Sequence, residues 1–318
     1  MKQSEGSSSS GPGWHFHATA VPRNARGEAG PRCFAALLGL LLLLNFTGCT
    51  TPRASPHATG RVKVHTEWTG HTARFFLRNS DTADMTATLE VGAINMQPNL
   101  PLPRTLIIPA GTTVEALVLT GITNAGGHWS FGYTNHYTMG RGDAVHDDTH
   151  LYALPYAAGA SHEVSQGHHG KFSHTGADEF ALDWKMPEGT TVLAARAGTV
   201  VAVKDDSEQG GPRRKFESFA NHVTLQHADG TMAHYCHLAP RSAQVRVGDA
   251  VAAGTPLAAS GNTGFSSGPH LHFAVFKARG GYARETIPVK FLTAEGRGIT
   301  PVTGESYRAV DTSALAQQ

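Results

Sequence analysis

Three short segments hold side chains that could share one chemical site: SHTGADEFALDW at residues 173–184, HYCHL at 234–238 and GPHLHF at 268–273. In the last of these, His270 and His272 are two apart, so on a strand both project from one face and a single metal or active site can use both. Imidazole is the commonest metal ligand and the usual acid or base near neutral pH, and the chain carries 19 histidines. A His-x-His pair alone reads equally well as a strand that happens to alternate histidines. The three cysteines, Cys33, Cys49 and Cys236, form neither a disulfide framework nor a Cys-x-x-Cys site, so any metal must be held by histidine and carboxylate. Cys236 alternates away from His237 and reads as a small buried residue.

These segments need strands to position them. The runs TTVLAARAGTVVAVK, NHVTLQH, TMAHYCHL, DAVAAGTPLAAS and LHFAVFK are rich in Val and Ala, with glycines at Gly189, Gly198, Gly230, Gly248, Gly254 and Gly261 where the chain must reverse. That pattern predicts an antiparallel sheet with few or no long helices. Upstream, RVKVHTEW, ARFFLRN, MTATLEV, TLIIP, TVEALVL and HWSFGYTN are short alternating runs broken by turn residues. They have no helical period and predict an immunoglobulin-like β-sandwich. His65, His71, His128 and His136 fall at its strand edges and turns and read as satisfied or solvated; His168, His169, His222, His227 and His234 lack the register of the ligands and read as solvated, with lining of a cleft as the alternative for His168 or His169.

The expected fold is therefore all-β, and a chain of 318 residues exceeds what one core usually serves. The expected boundaries are a leader and lipoprotein-type signal over 1–49, a Pro/Ser/Thr linker over 50–60, the sandwich over 61–150, the second domain over 151–290 and a tail over 291–318. From Cys33 to Phe46 the chain is apolar apart from Asn45, and Arg23, Arg26 and Arg32 precede it. This predicts a secretory signal, too short for a comfortable membrane span. Thr47, Gly48 and Cys49 then resemble a bacterial lipobox, with Phe46 where that pattern prefers Leu, so Cys49 is the expected lipid anchor to a membrane. A plain signal peptide is the alternative, and a start at Val21 would give it a more ordinary length. The formal net charge of +1 gives no chain-wide reason to expect nucleic acid as a partner.

The order of the three segments adds what their spacing alone lacks. His174 with Asp183, then MPEGTTVLAARAGTV, YCHL and GNTGFSSGPHLHF, resembles the M23 metallopeptidases, also called LytM or lysostaphin-like, across roughly residues 165–280. The resemblance implies that Asp183 and His272 are zinc ligands and that His237 and His270 are unliganded active-site histidines. In that family the first ligand histidine sits four residues before the aspartate, but here Glu179 holds that place. His174 reaching Asp183 from a longer loop is the expectation; His174 with Asp178, or a Glu179 ligand, are the alternatives. Two histidines and one aspartate leave an open corner on tetrahedral Zn2+, where bound water reaches a pKa of about 7.

The implied activity is that of a zinc endopeptidase, exported to the cell envelope, that cuts peptide bonds in peptidoglycan. The alternative is a catalytically inactive relative that binds or activates a cell-wall hydrolase. The charged insert DDSEQGGPRRKFESFAN at 205–221 is expected to wall the groove, with Arg213, Arg214 and Lys215 either meeting substrate carboxylates or forming a solvated tip. Asn221 matches a position that the family often fills with Asn.

Overall fold

The computed structural model describes residues 61–124 and 128–311. The signal stretch, the linker and Cys49 lie outside the described residues. Two short 3-10 turns, Gly176–Asp178 and Arg214–Phe219, are the helical elements among the described residues, and everything else regular is strand. No described helix is long and apolar enough to cross a membrane.

The N-terminal body has seven strands: β1 (Val62–Thr69), β2 (Thr72–Asn79), β3 (Met85–Ile94), β4 (Met96–Pro98), β5 (Arg104–Ile108), β6 (Thr113–Gly121) and β7 (Ser130–Met139). They form two antiparallel sheets, ordered β1-β2-β6-β4 and β5-β3-β7. On β2, Ala73, Phe75 and Leu77 are buried while Arg74 and Arg78 face water, the period-two pattern of a strand with one covered face. Phe75, Leu77, Met85, Leu89 and Leu117 from the two sheets meet in one core, so the layers make a sandwich.

Sixteen strands follow: β8 (Leu151–Ala153), β9 (Ser161–Gln166), β10 (Leu182–Lys185), β11 (Thr191–Leu193), β12 (Gly198–Lys204), β13 (Gly210–Gly211), β14 (His222–Gln226) and β15 (Met232–Cys236), then β16 (Ala250–Val251), β17 (Pro256–Ala259), β18 (Gly264–Phe265), β19 (His270–Arg279), β20 (Ala283–Thr286), β21 (Lys290–Thr293), β22 (Gly296–Ile299) and β23 (Ser306–Arg308). The main sheet is ordered β16-β12-β14-β15-β19-β10-β9-β23, with β20 also on β19. Its inner face packs Trp184, Val223, Leu225, Tyr235, Leu271 and Phe273 into a second core. Because side chains alternate across a strand, the residues between them, His222, Thr224, His234, Cys236 and His272, share the outer face.

The sandwich sits on the far end of that outer face, where Val201, Met232 and Phe276 belong to its core. Polar contacts flank this apolar patch: Thr82 Oγ1 donates to Val201 O at 3.0 Å and Thr138 Oγ1 to Gly281 O at 3.0 Å. Gly281 N donates to Thr88 Oγ1 at 3.0 Å. The chain after Thr293, which carries little sequence signal, adds β23 to the sheet edge against β9, and Tyr307 and Ala309 join the second core.

Candidate metal centre

In the register of β10 against β19, Asp183 lies directly opposite His272 and Lys185 opposite His270. Asp183 Oδ1 is 2.9 Å from His272 Nδ1, 3.1 Å from His174 Nε2 and 3.9 Å from His270 Nε2. His174 Nε2, Asp183 and His272 Nδ1 offer ligand atoms that all lie within 4.8 Å of one another.

His174 arrives from the loop between β9 and β10, as its nine-residue distance from Asp183 requires. That loop folds back on itself through His169 N to Glu179 O at 2.8 Å and His174 N to Gly170 O at 3.0 Å. The His174 ring is fully buried and its Nδ1 donates to Gly167 O at 2.8 Å. A neutral ring bonded this way presents the Nε2 lone pair to Asp183. Nε2 makes no hydrogen bond although it stands 3.1 Å from a carboxylate oxygen. Two lone pairs converging at that distance in a buried site need a proton or a metal cation between them, and the His/His/Asp donor set suits a metal that takes nitrogen and oxygen ligands. The residues present therefore fit a metal.

The alternatives raised by the sequence have other partners. Asp178 Oδ1 accepts from Arg284 Nη2 at 2.5 Å, and Glu179 Oε1 is 3.1 Å from His169 Nδ1.

His237 and His270 flank the group, with ring centroids 4.6 Å apart and His237 5.9 Å from His272. His237 Nδ1 donates to Thr263 O at 2.7 Å and His270 Nδ1 to Gly268 O at 2.8 Å, which leaves each Nε2 free of the backbone. Both residues line a cleft of about 2950 Å³ above the outer face. His237 holds φ at 64°, a conformation that non-glycine residues adopt rarely and that marks a constrained position.

Burial opposes ionisation of Asp183, but the His174 and His272 rings set against it outweigh that cost and hold the carboxyl well below its ordinary range. At His174 burial favours the neutral ring, and the Asp183 carboxylate beside Nε2 overcomes it to raise the pKa. His237 is pushed down to about 3, first by burial and then by His270 and His272.

Of the two supporting residues, Gln166 carried no sequence signal, whereas Asn221 was singled out by the resemblance. Gln166, buried on β9, donates from Nε2 to Asp183 Oδ2 at 3.0 Å and to Ser173 Oγ at 2.8 Å, tying the aspartate to the loop that brings His174. A Cβ on Gly170 would sit 2.1 Å from the Gln166 side chain, so any other residue there would displace Gln166. Asn221 is fully buried and pins the 205–221 insert through Ser207 N to Oδ1 at 3.0 Å and Nδ2 to Ser207 O at 2.8 Å. Of the insert's cations, Arg214 lines the cleft.

Some histidines depart from the sequence reading. His227 is buried, and His168, His222 and His234 are half-buried rather than solvated. His136 lies within β7, an edge strand of its sheet, lines the cleft and packs its ring at a tilt against Tyr282, with centroids 4.6 Å apart. Cys236 is a buried free thiol, as read.

Residues 177–284 match a family model described as Peptidase family M23. The chain is 35% identical over 91 residues to peptidoglycan DD-endopeptidase ShyA of Vibrio cholerae, which covers 29% of this chain and 18% of that protein. It is 30% identical over 141 residues to glycyl-glycine endopeptidase ALE-1 of Staphylococcus capitis, covering 43% of this chain and 35% of the relative. The chain thus spans about a fifth to a third of the length of these curated relatives. The solved catalytic domain of lysostaphin from Staphylococcus simulans is 25% identical, with 40% of this chain and 87% of that one covered and a TM-score of 0.29.

Proposed function

Because residues 177–284 belong to peptidase family M23, we propose that this protein is a zinc-dependent endopeptidase that hydrolyses peptide bonds in peptidoglycan. The observation that carries the reading is the convergence of His174, Asp183 and His272 on one point at the floor of an open cleft. In this reading those three residues hold Zn2+. Zinc bound there supplies Lewis acidity, polarising a carbonyl and bringing the pKa of water to about 7.

The chain's own residues supply the rest. Gln166 fixes the Asp183 carboxylate, and Gly167 O fixes the His174 tautomer, so the ligands are pre-oriented. His237 and His270, each anchored at Nδ1 by a backbone carbonyl, turn Nε2 to the cleft. A free Nε2 accepts the proton lost by the attacking water, and the imidazolium so formed can donate it to the oxygen or nitrogen on which negative charge develops. Relatives described as peptidoglycan and glycyl-glycine endopeptidases support this substrate class. They also support a location in the cell envelope, held in this reading by a lipid at Cys49.

Zinc content of the purified protein, with release of peptides from isolated sacculi before and after His272→Ala, tests the proposal. One zinc per chain and cleavage lost on substitution are expected. A metal-free, inactive wild type would instead make the chain a regulator that binds a cell-wall hydrolase or wall peptide.

A further inference from the structure

The floor of the cleft runs across the strands and is unequal on the two sides of the His174, Asp183 and His272 group. On one side the register carries it from His272 to Cys236, His222 and Lys204 on successive strands, and all of these line the cleft. That is about 14 Å of open floor, the reach of roughly four residues of extended peptide. On the other side Asp183 is followed by Gln166, one strand further out, and there the floor ends. The loop between β9 and β10 lies on Gln166, whose Oε1 accepts from Phe172 N at 3.1 Å and from Ser173 N at 3.3 Å, while Gly170 sits close against its side chain.

Phe172 carries this obstruction across the cleft. Its ring is 63% exposed and stacks on Phe265 of β18, with centroids 5.6 Å apart and planes 22° from parallel. The Phe172 loop leads into β10 at the end where Leu182 faces Phe273, and β18 leads into β19 at the end where His270 faces Lys185. The two rings therefore come from opposite ends of the strand pair whose middle carries Asp183 and His272, and their stack spans the cleft from wall to wall. Phe265 is fixed in turn: Gly211 of the insert pairs with it, and the Arg214 guanidinium lies 5.6 Å from its ring centre. Both rings line the cleft and neither belongs to either core, so the stack shapes the cleft rather than the fold.

We infer that the Phe172–Phe265 stack closes the cleft on the β9 side and makes it one-ended, so that the pair sets which lengths of substrate the site accepts. A peptide extends freely over β15, β14 and β12, whereas on the β9 side of the metal group it has room for roughly two residues. A longer chain on that side must part the two rings, which weakens its binding by about 2–10-fold, the strength of a stacked aromatic pair. The rings act on substrate length and touch none of the reacting atoms.

The inference rests on the proposed peptidase reading for its substrate, and one experiment separates the two. Cross-linked stem-peptide dimers, trimmed one residue at a time on the carbonyl or on the amine side of the cross-link, are titrated calorimetrically into the full chain. The titration is run with and without added zinc, and cleavage by the zinc-loaded chain is followed in parallel. In both conditions affinity is expected to rise with length on one side and, on the other, to fall about 2–10-fold once more than about two residues are present. That fall should disappear in Phe172→Ala and persist in Phe172→Tyr, which keeps the ring. Phe265→Ala should add nothing to Phe172→Ala in the double variant, because either substitution removes the same stack.

Affinity that rises with length on both sides, no binding of any dimer, or a fall retained in both alanine variants overturns the inference, whether or not the dimers are cut. Asymmetric binding without cleavage by the zinc-loaded wild type overturns the peptidase reading alone. Should Phe265→Ala fail to fold, Phe172→Ala decides, because its exposed ring bears on neither core.

Discussion

Asp183 and His272 are direct partners across two antiparallel strands, with Oδ1 and Nδ1 2.9 Å apart. The backbone ladder therefore sets their approach before either side chain chooses a rotamer. A loop brings only the third member, His174, and several hydrogen bonds hold that loop. This division assigns the two kinds of failure in advance: strand substitutions remove a ligand atom, and loop substitutions misplace one.

Gln166 is the residue through which the loop and the aspartate are held together. Its substitution by Ala removes the bonds to Asp183 and Ser173 and leaves all three proposed ligands in place. Zinc affinity, measured by competition with a chelator of known strength, is expected to drop about 10–100-fold, the usual cost of an outer-shell partner. An unchanged affinity would mean that Gln166 only packs.

His270, His272, Asp183 and His237 were legible because their geometry is local: a period of two on a strand, or a place at a strand end. The antiparallel sheet was legible for the same reason, through glycine turns and alternation. Gln166 was not, since its meeting with Asp183 depends on the pairing of β9 with β10, and pairing partners leave no mark in either segment. His222 and His234 alternate as any outer-face residues do. Their enclosure comes from the 205–221 insert and from the sandwich, so they read as solvated until tertiary contacts are known. The path of His174 was half legible: the spacing showed that a longer loop was needed, and the hydrogen bonds that fold that loop are set by the rest of the chain.

At Gly281 the sandwich and the main sheet meet backbone to backbone. A Cβ there would stand 2.4 Å from His136 O and 2.5 Å from Thr88 N, and both are backbone atoms that cannot swing aside. Gly281→Ala should therefore destabilise the protein by about 1–3 kcal/mol through overpacking. Denaturant unfolding gives the change, and limited proteolysis should show the sandwich loosened. A wild-type profile in both would show that the two bodies are not held against each other in solution.

The Arg196–Asp229 ion pair, 2.7 Å long, predicts a pH-dependent contribution to stability. Burial raises the Asp229 pKa, but hydrogen bonds from Thr231 and Arg196 outweigh it and lower the group from 3.8 to about 2. A depressed carboxylate contributes stability that is complete above its unfolded pKa and lost as pH falls through the folded one. Wild type should be more stable than Asp229→Asn at neutral pH, and the gap should narrow between pH 4 and pH 2. Denaturant midpoints across that range check it, and a gap independent of pH would show that the ionised form of Asp229 contributes nothing to stability.

His237 and His270 provide the sharpest separation between holding a metal and using it. Neither belongs to the group of atoms within 4.8 Å of one another, and His270 Nε2 lies 3.9 Å from the Asp183 oxygen, further than either His174 or His272. If they move protons and support developing charge, His237→Ala and His270→Ala should retain one zinc per chain while turnover falls about 10²–10⁴-fold, the usual yield of a positioned acid or base. His174→Ala should lose zinc and turnover together. KM should change little in the two alanine variants, because the interaction lost is one made in the transition state. Elemental analysis alongside steady-state kinetics on a soluble cross-linked peptide reads all three quantities. Loss of zinc from His237→Ala would move that residue into the ligand set and leave the cleft without its expected second base, since the strained backbone at φ 64° would then be serving the metal rather than the proton.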